Sequence, residues 1–422
     1  MQLGDLLPDT AALEGGELAI GGVRLSALAD EFGTPLVVYC EETLRARARE
    51  YRAAAPEAVC LYGSKAFPNV ALLRLFAEEG LGADVSTLGE LEFALHAGVP
   101  PSRIVVHGNN KSDEELRRAA EVGVWLVVLD SLEEAPRALR AQVERVLVRV
   151  TPGIDPDTHD AIKTGHRGSK FGLPPADAML TIDSAARAGL DVQGLHVHLG
   201  SQLLDVAPAR FSVDWLAGFA AECRSEIGWT PRVLDVGGGL GIRYVPDDGA
   251  PSIHDFVRAI AERVERAWRL HALPGPQVVF EPGRSLVGEA GVTLYRVGVV
   301  KHASETTTFV AVDGGMSDNP RPQLYEARFS CLLANRADDE PAGWYTVCGK
   351  HCESGDVLID RALLPEPSPG DLLAVAATGA YTLGMSSNYN AVPRPAAVLV
   401  GAGQARLIRR RETVDDLLAL EA

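Results

Sequence analysis

The stretch VCLYGSKAFPN, Val59 to Asn69, is an apolar, β-prone run that ends in Gly63 and Ser64, presents Lys65, and passes into a helical pattern near Asn69. A lysine where a strand opens into a turn is ordinarily a solvated surface charge. It is also the residue type that holds an aldehyde cofactor covalently, because its amine forms a Schiff base with a carbonyl. Two other stretches bear on the choice. Gly237, Gly238 and Gly239 follow the apolar run RVLDV, and three glycines let backbone N–H groups approach an anion closely. Glu281 closes the run QVVF and is followed by Pro282, Gly283 and Arg284, so a carboxylate and a guanidinium stand at one strand end.

These residues need elements to bring them together. From Val59 to Arg284, short β-branched runs alternate with amphipathic helical stretches, the pattern of a parallel sheet built from βα units. Eight strands are predicted: VCLYGS from Val59, GADVS from Gly82, RIVVHG from Arg103, VWLVVLD from Val124, RVLVRVT from Arg145, GLHVHLG from Gly194, RVLDVGGG from Arg232 and QVVFEPG from Gln277. NVALLRLFAEEG, LGELEFALHAGV and IHDFVRAIAERVERAWRLHAL read as helices between them, with Gly80 and Gly98 as stops. Eight such units fit a (β/α)8 barrel, predicted over residues 41–284. The run TPLVVYC, Thr34 to Cys40, falls outside it. Beyond Arg284, runs such as GVTLYRVGVVKH, TTFVAVDGG, WYTVCGKHC and DLLAVAATGAY lie between turns with few helical patterns. They predict an antiparallel β-domain, a sandwich or Greek-key barrel, from residues 1–40 plus 285–422.

In a barrel of this kind functional groups sit at the C-terminal strand ends. The strand ends carry Lys65, then Asp84 and Ser86, then His107, then His198 with Ser201 and Gln202, then Gly237 to Gly239, then Glu281, Gly283 and Arg284. Loops after the last two strands are the usual phosphate-binding place of the fold, so the glycine run reads as a phosphate cradle with Ser201 and Arg284 as further donors. A phosphate site, a strand-end lysine and a strand-end carboxylate together match pyridoxal 5'-phosphate. Lys65 would hold it, and Glu281 would keep the pyridine nitrogen protonated. His198 is placed to stack on the ring, although a hydrogen-bonded core histidine is the bland alternative.

The 422-residue chain carries 40 Lys+Arg against 57 Asp+Glu, a formal charge of −17, which opposes general attraction to nucleic acid or an anionic membrane. No apolar run reaches the roughly 20 residues needed to span a bilayer, and the N-terminus lacks the pattern of a signal peptide. The six cysteines show no paired zinc spacing; free thiols, no metal and a cytoplasmic location are therefore expected.

The blocks YGSKAFPN, GADVSTLGELEFALHAGV, IVVHGNNKSDEEL, HVHLGSQ, LDVGGGLGI, EPGRSLVGEAGV, DGGMSDNPRPQLYEA, CGKHCESGDVL and GAYTLGMSSNYN resemble the diaminopimelate decarboxylases, within the alanine-racemase-like class that includes ornithine decarboxylase. So many ordered blocks, from about Val37 to Val400, make the likeness specific where each alone is weak. The resemblance implies decarboxylation of meso-2,6-diaminopimelate to L-lysine and CO2, the last step of bacterial lysine biosynthesis, in a homodimer with shared active sites. It implies that Lys65 carries the cofactor, His198 stacks on it, Asp84 belongs to its site, and Ser201, Gly238, Gly239 and the backbone from Glu281 through Pro282 and Gly283 to Arg284 take its phosphate. Arg284, Arg321 and Tyr325 would bind the distal end of the substrate. From the second subunit, Cys352 would donate the proton, Glu353 would hold the substrate amine, and Tyr381 would touch cofactor and substrate. A thiol with an ordinary pKa of about 8.5 is protonated near neutrality and suits that donation.

Two positions depart from the family pattern: His351 stands where proline commonly precedes the cysteine of CESGD, and Thr382 to Met385, TLGM, follows GAY. A decarboxylase of ornithine, lysine or a carrier-bound amino acid, a racemase, and a non-catalytic cofactor-binding relative are the alternatives within the class.

Overall fold

The computed structural model describes residues 4–152 and 169–422. The chain divides into two compact units: Arg47–Gly241 with Ala250–Ser285, and Met1–Ala46 with Ile242–Gly249 and Leu286–Ala422. Sequence alone assigns residues 242–249 to the barrel; the fold gives them to the second unit. There Tyr244 packs edge-on against Phe329, with ring centroids 5.2 Å apart.

The first unit is a closed barrel of eight parallel strands: Val59–Gly63, Gly82–Val85, Ile104–Val106, Leu126–Leu129, Arg145–Arg149, Asp191–His196, Val233–Asp235 and Gln277–Phe280. Each pairs with the next, and the last returns to the first through Val279 and Phe280 beside Val59 and Cys60. Inward-facing Leu61, Val105, Leu126, Val128, Leu147, Val233 and Val279 fill the interior as one apolar cluster. The helices begin and stop where local chemistry dictates. Asn69 accepts the N–H groups of Ala71 and Leu72 and so caps Val70–Glu78, which runs out at Gly80 with φ +83°. Thr87 caps Leu88–His96 in the same way, and Gly98 turns with φ +85°. Ile253–Leu270 buries Ile253, Phe256, Val257, Ile260, Val264, Ala267 and Trp268 along one face.

The sixth strand slips its register between Val192 and Gly194, and Gly194 then lies against the seventh strand. A Cβ at Gly194 would sit 1.8 Å from the Val233 carbonyl oxygen, so only glycine fits there.

The second unit is a mixed sheet rather than the wholly antiparallel one that its runs suggest. Its strands follow the order Val357–Leu364, Gly343–Cys348, Thr308–Val312, Gly291–His302, Leu36–Cys40, Ala396–Gly401, Gln404–Arg409. Most pairs are antiparallel, but Thr308–Val312 runs parallel to Gly343–Cys348, and Leu36–Cys40 parallel to Ala396–Gly401. Gly291–His302 is the hub. Its first half pairs with Leu36–Cys40, its middle with Leu372–Val375, and its second half with Thr308–Val312. Ahead of this sheet a small three-stranded meander, from Ala12 to Arg24, precedes a helix at Leu25–Phe32, in a stretch that sequence assigns to the antiparallel β-domain. All six cysteines are free, and among the described residues no helix is long and apolar enough to cross a membrane.

Within the second unit a tight turn, Gly314–Asn319, leads into the short helix Arg321–Tyr325. Asp318 is buried in it, accepting from the Gly315 N–H at 2.9 Å and from the Tyr295 hydroxyl. Burial raises its carboxyl to about 7, outweighing those two donors. The folded state therefore keeps a proton that the unfolded state gives up near the usual carboxylate value, and the contribution of Asp318 to stability falls as pH rises between about 4 and about 7.

Two predictions follow from these local constraints. Gly194→Ala destabilises the protein by about 3 kcal/mol or more, whereas Gly218→Ala, on an open position of the helix Ala207–Ile227, is neutral or stabilises by about 0.5–1 kcal/mol. Denaturant titrations check both, and a mild Gly194→Ala would overturn the account of the barrel seam. Asp318→Asn flattens the dependence of Tm on pH across that same acidic-to-neutral window; equal slopes for the variant and the parent chain would show that Asp318 does not hold the proton.

Candidate active site

The C-terminal ends of the barrel strands gather a group of charged and titratable side chains. Lys65 lies in the single turn Ser64–Ala66 that follows the first strand, and its Nζ stands 3.4 Å from Asp84 Oδ2 at the end of the second. Asp84 is buried while the lysine side chain stays 45% exposed, so the amine is anchored at its rim yet open to a ligand. The turn is pinned from below: Ser64 Oγ donates to the Asp84 carbonyl at 2.8 Å, and the Gly63 N–H to the Pro282 carbonyl at 2.9 Å.

Beside this pair lies a buried group of imidazoles and carboxylates. Glu281 Oε1 is 2.5 Å from His107 Nε2, and its Oε2 is 3.4 Å from His196 Nε2. The two rings meet edge to face with centroids 4.9 Å apart. Asp235 joins them, and ligand-type atoms from all four residues lie within 4.8 Å of one another. Burial alone would raise the Glu281 carboxyl, but the flanking imidazoles of His107 and His196 outweigh it and hold the group well below the usual carboxylate range. Asp235 goes the other way, pushed well up by burial and by the charge of Glu281. The two buried carboxyls are thus pushed in opposite directions, Glu281 towards its ionised form and Asp235 away from it. Burial lowers His196 to about 3, which leaves it neutral.

The glycine run sits at the next strand end. Asp235 Oδ1 accepts the Gly237 N–H at 2.8 Å, and Glu281 N–H donates to the Gly237 carbonyl at 2.8 Å. A Cβ at Gly238 would stand 2.2 Å from the Glu281 carbonyl oxygen, and Gly239 takes φ +110°, so neither position admits a side chain. The Gly238 N–H reaches His198 Nδ1 at 3.4 Å. Burial, then the charges of Lys65 and Arg149, keep the His198 ring well below its ordinary pKa and so neutral. Arg284 Nη2 donates to Ser201 Oγ at 2.9 Å. A hydroxyl, a guanidinium and a side-chain-free turn form a donor set that suits a phosphate, and the ionised Glu281 suits a protonated pyridine nitrogen. The residues present therefore fit pyridoxal phosphate.

The strand-end rule, applied to every strand, also yields residues that motif reading passes over. Asp130 ends the fourth strand region and Arg149 the fifth, 3.6 Å apart, and the Arg149 guanidinium lies 4.6 Å above the Phe171 ring. Asp235 ends the seventh.

The remaining expected residues belong to the second unit, where they form their own arrangement. Arg321 is buried at the start of the helix Arg321–Tyr325, its guanidinium 5.6 Å from the Tyr325 ring centre and 5.4 Å from that of Tyr244. Tyr325 is exposed. Cys352 and Glu353 are exposed on the turn after Gly343–Cys348, and Tyr389 donates its hydroxyl to Glu353. Tyr381 is half-buried with φ +57°, the left-handed backbone of a residue held in a fixed turn.

Comparison with known proteins extends this picture across the chain. The family described as pyridoxal-dependent decarboxylase, pyridoxal binding domain, matches residues 41–288. The diaminopimelate decarboxylase of Mycobacterium leprae is 44% identical over 97% of this chain and 90% of its own length. That of Bacillus subtilis is 42% identical over 96% and 95%. Among solved structures, diaminopimelate decarboxylase from M. jannaschii in complex with L-lysine shares the fold with a TM-score of 0.93 at 35% identity, over 98% of both chains. With the barrel, the lysine and the phosphate-suited turn in place, the chain belongs to the pyridoxal-dependent decarboxylases.

Proposed function

We propose that this protein decarboxylates meso-2,6-diaminopimelate to L-lysine and CO2, the last step of bacterial lysine biosynthesis, as a homodimer with shared active sites. The observation that carries the reading is the barrel rim, where Lys65 beside Asp84 meets the Gly237–Gly239 turn and the Ser201–Arg284 pair, in a chain like the named decarboxylases along nearly its whole length. The cysteines, all free, suit the reducing cytoplasm, where we place the enzyme.

Pyridoxal phosphate, when bound, supplies a carbonyl that an amine can join and a ring that takes up the electron pair left behind as CO2 departs. The protein's part is placement and proton control. Lys65 holds the cofactor, with the Asp84 carboxylate beside its amine. Glu281, kept ionised by His107 and His196, holds the ring nitrogen in its protonated form, which favours electron uptake. The neutral His198 offers a flat face without adding a competing positive charge. Ser201, Gly238, Gly239 and the segment Glu281–Pro282–Gly283–Arg284 take the phosphate.

The substrate has a carboxylate beside the amine at its far end, whereas a simple diamine precursor has the amine alone. Arg321, with its guanidinium near the rings of Tyr244 and Tyr325, and the hydroxyl of Tyr325 are of the chemistry that binds such a carboxylate, as is Arg284. The carbon that loses CO2 must take up one proton. We assign that donation to Cys352 of the partner subunit, with the partner's Glu353 on the substrate amine and the partner's Tyr381 against cofactor and substrate. The exposure of Cys352 and Glu353 on their own chain supports this role, since both are accessible to a neighbouring subunit.

Purified protein supplied with pyridoxal phosphate should release CO2 and form L-lysine from meso-diaminopimelate. Release from ornithine or lysine alone would replace the substrate and leave the class intact. Lys65→Ala should lose the visible absorbance of bound cofactor and at least about a thousandfold in kcat; an unchanged spectrum would remove Lys65 from the site. Mixing inactive Lys65→Ala and Cys352→Ala chains should recover up to about a quarter of parental turnover, because a mixed two-fold dimer contains one intact site. No recovery despite demonstrated subunit exchange would rule out a shared site.

A further inference from the structure

His351, directly before Cys352, is buried in the second unit and used by none of the steps above. Its ring sits between two other loops. On one side Nε2 lies 2.9 Å from Ser317 Oγ and accepts the Ser317 N–H at 3.3 Å. On the other, Nδ1 lies 3.3 Å from Asn390 Oδ1. Because Nε2 accepts a backbone N–H, the ring proton resides on Nδ1 and is donated to Asn390. The same Asn390 oxygen accepts the Cys352 N–H at 3.3 Å, so one carbonyl ties the imidazole and the cysteine backbone together. Asn390 holds φ +53°, a left-handed conformation that asparagine tolerates well.

The surrounding bonds extend the brace. Asp356 accepts the N–H of His351 at 2.9 Å and that of Met316 at 2.7 Å, packed where a Cβ on Gly315 or Gly349 would strike its carboxylate. The Ser387 N–H donates to the Ser317 carbonyl at 2.8 Å. From the helix Arg321–Tyr325, Gln323 donates to the carbonyls of Gly355 and Val357 at 3.1 and 3.0 Å. The loop before Arg321, the turn of Cys352 and Glu353, and the loop of Tyr389 and Asn390 are therefore one hydrogen-bonded body, and the His351 side chain touches both of the other loops.

We propose that His351 is a positioning residue for the decarboxylation, fixing the Cys352–Glu353 turn against the segment that carries Arg321 and Tyr325. The inference rests on the roles proposed above for those four residues. It explains why a polar ring is buried beside an exposed thiol: a proline at this position would give the turn a fixed φ but no bond to either neighbouring loop. It also means that substrate recognition and proton delivery share one support on the subunit that lends them.

The test uses full-length holoenzyme. His351→Ala should lower kcat for meso-diaminopimelate about tenfold with KM within about twofold, as expected for a misplaced donor. It should also change the rate at which Cys352 is alkylated by iodoacetamide by roughly threefold or more, with Cys352→Ala as the blank for the other thiols. His351→Asn, whose amide N–H takes the place of Nδ1–H, should restore most of both. Asn390→Gly keeps the left-handed backbone but removes the shared acceptor, so it should reproduce the His351→Ala defects even where His351→Ala folds poorly. Unaltered alkylation in both His351→Ala and Asn390→Gly overturns the proposal, as does altered alkylation with parental kcat. Parental kcat in Cys352→Ala overturns the role of Cys352 instead and leaves the labelling comparison to judge His351.

Discussion

Everything at the barrel rim depends on keeping one buried carboxylate charged. An ionised group removed from water is expensive unless it is paired, and Glu281 is almost wholly buried. Two imidazoles, one on each oxygen, meet that requirement, while burial and the charge of Glu281 push the adjacent Asp235 away from its ionised form. The arrangement also explains the placing of other groups. Asp235 accepts the Gly237 N–H and so shapes the glycine turn. Glu281 holds the same turn through its backbone N–H. Phosphate-suited and nitrogen-suited ends of the site are thus set by two neighbouring strands sharing their terminal hydrogen bonds. A change in the charge state at one end is felt by backbone at the other.

Much of this was readable in the sequence, for a definite reason. All eight barrel strands are local events, each an apolar run bounded by turn residues, and the structure has a strand at each run, the sixth beginning earlier, at Asp191, and ending at His196. Gly80 and Gly98 do stop their helices, and Lys65 does stand at the mouth. What could not be read is whatever depends on residues meeting across the sheet. His107 and Glu281 end the third and eighth strands, and nothing in either stretch announces a 2.5 Å contact. Arg149, Asp130 and Asp235 were reachable through the strand-end rule alone, because no motif surrounds them.

The second unit was less legible, again for a physical reason. Short runs between turns suggest hairpins, and hairpins are antiparallel. Two of its pairings are parallel and join segments distant in the chain, so no turn marks them. Ile242–Gly249 sits between barrel elements in sequence, and its membership in the second unit comes from Tyr244 packing on Phe329, a contact with no local signature. The helix Leu25–Phe32 has Gly33 after it as a stop, but the meander before it masks its start.

The strand Leu36–Cys40 has one neighbour in Gly291–His302 and the other in Ala396–Gly401. During synthesis it therefore leaves the ribosome long before either partner exists, whereas each barrel strand after the first meets its predecessor as soon as it emerges. Domains fold in the order in which their parts become available, and distant pairings form slowly. The barrel pairings thus become available in chain order, closing when the eighth strand reaches the first, whereas the sheet of the second unit needs its last strands before it is complete. An apolar strand, LVVYC, must wait through that interval with no partner of its own, which makes the nascent chain most vulnerable to misassociation at its beginning rather than at its end.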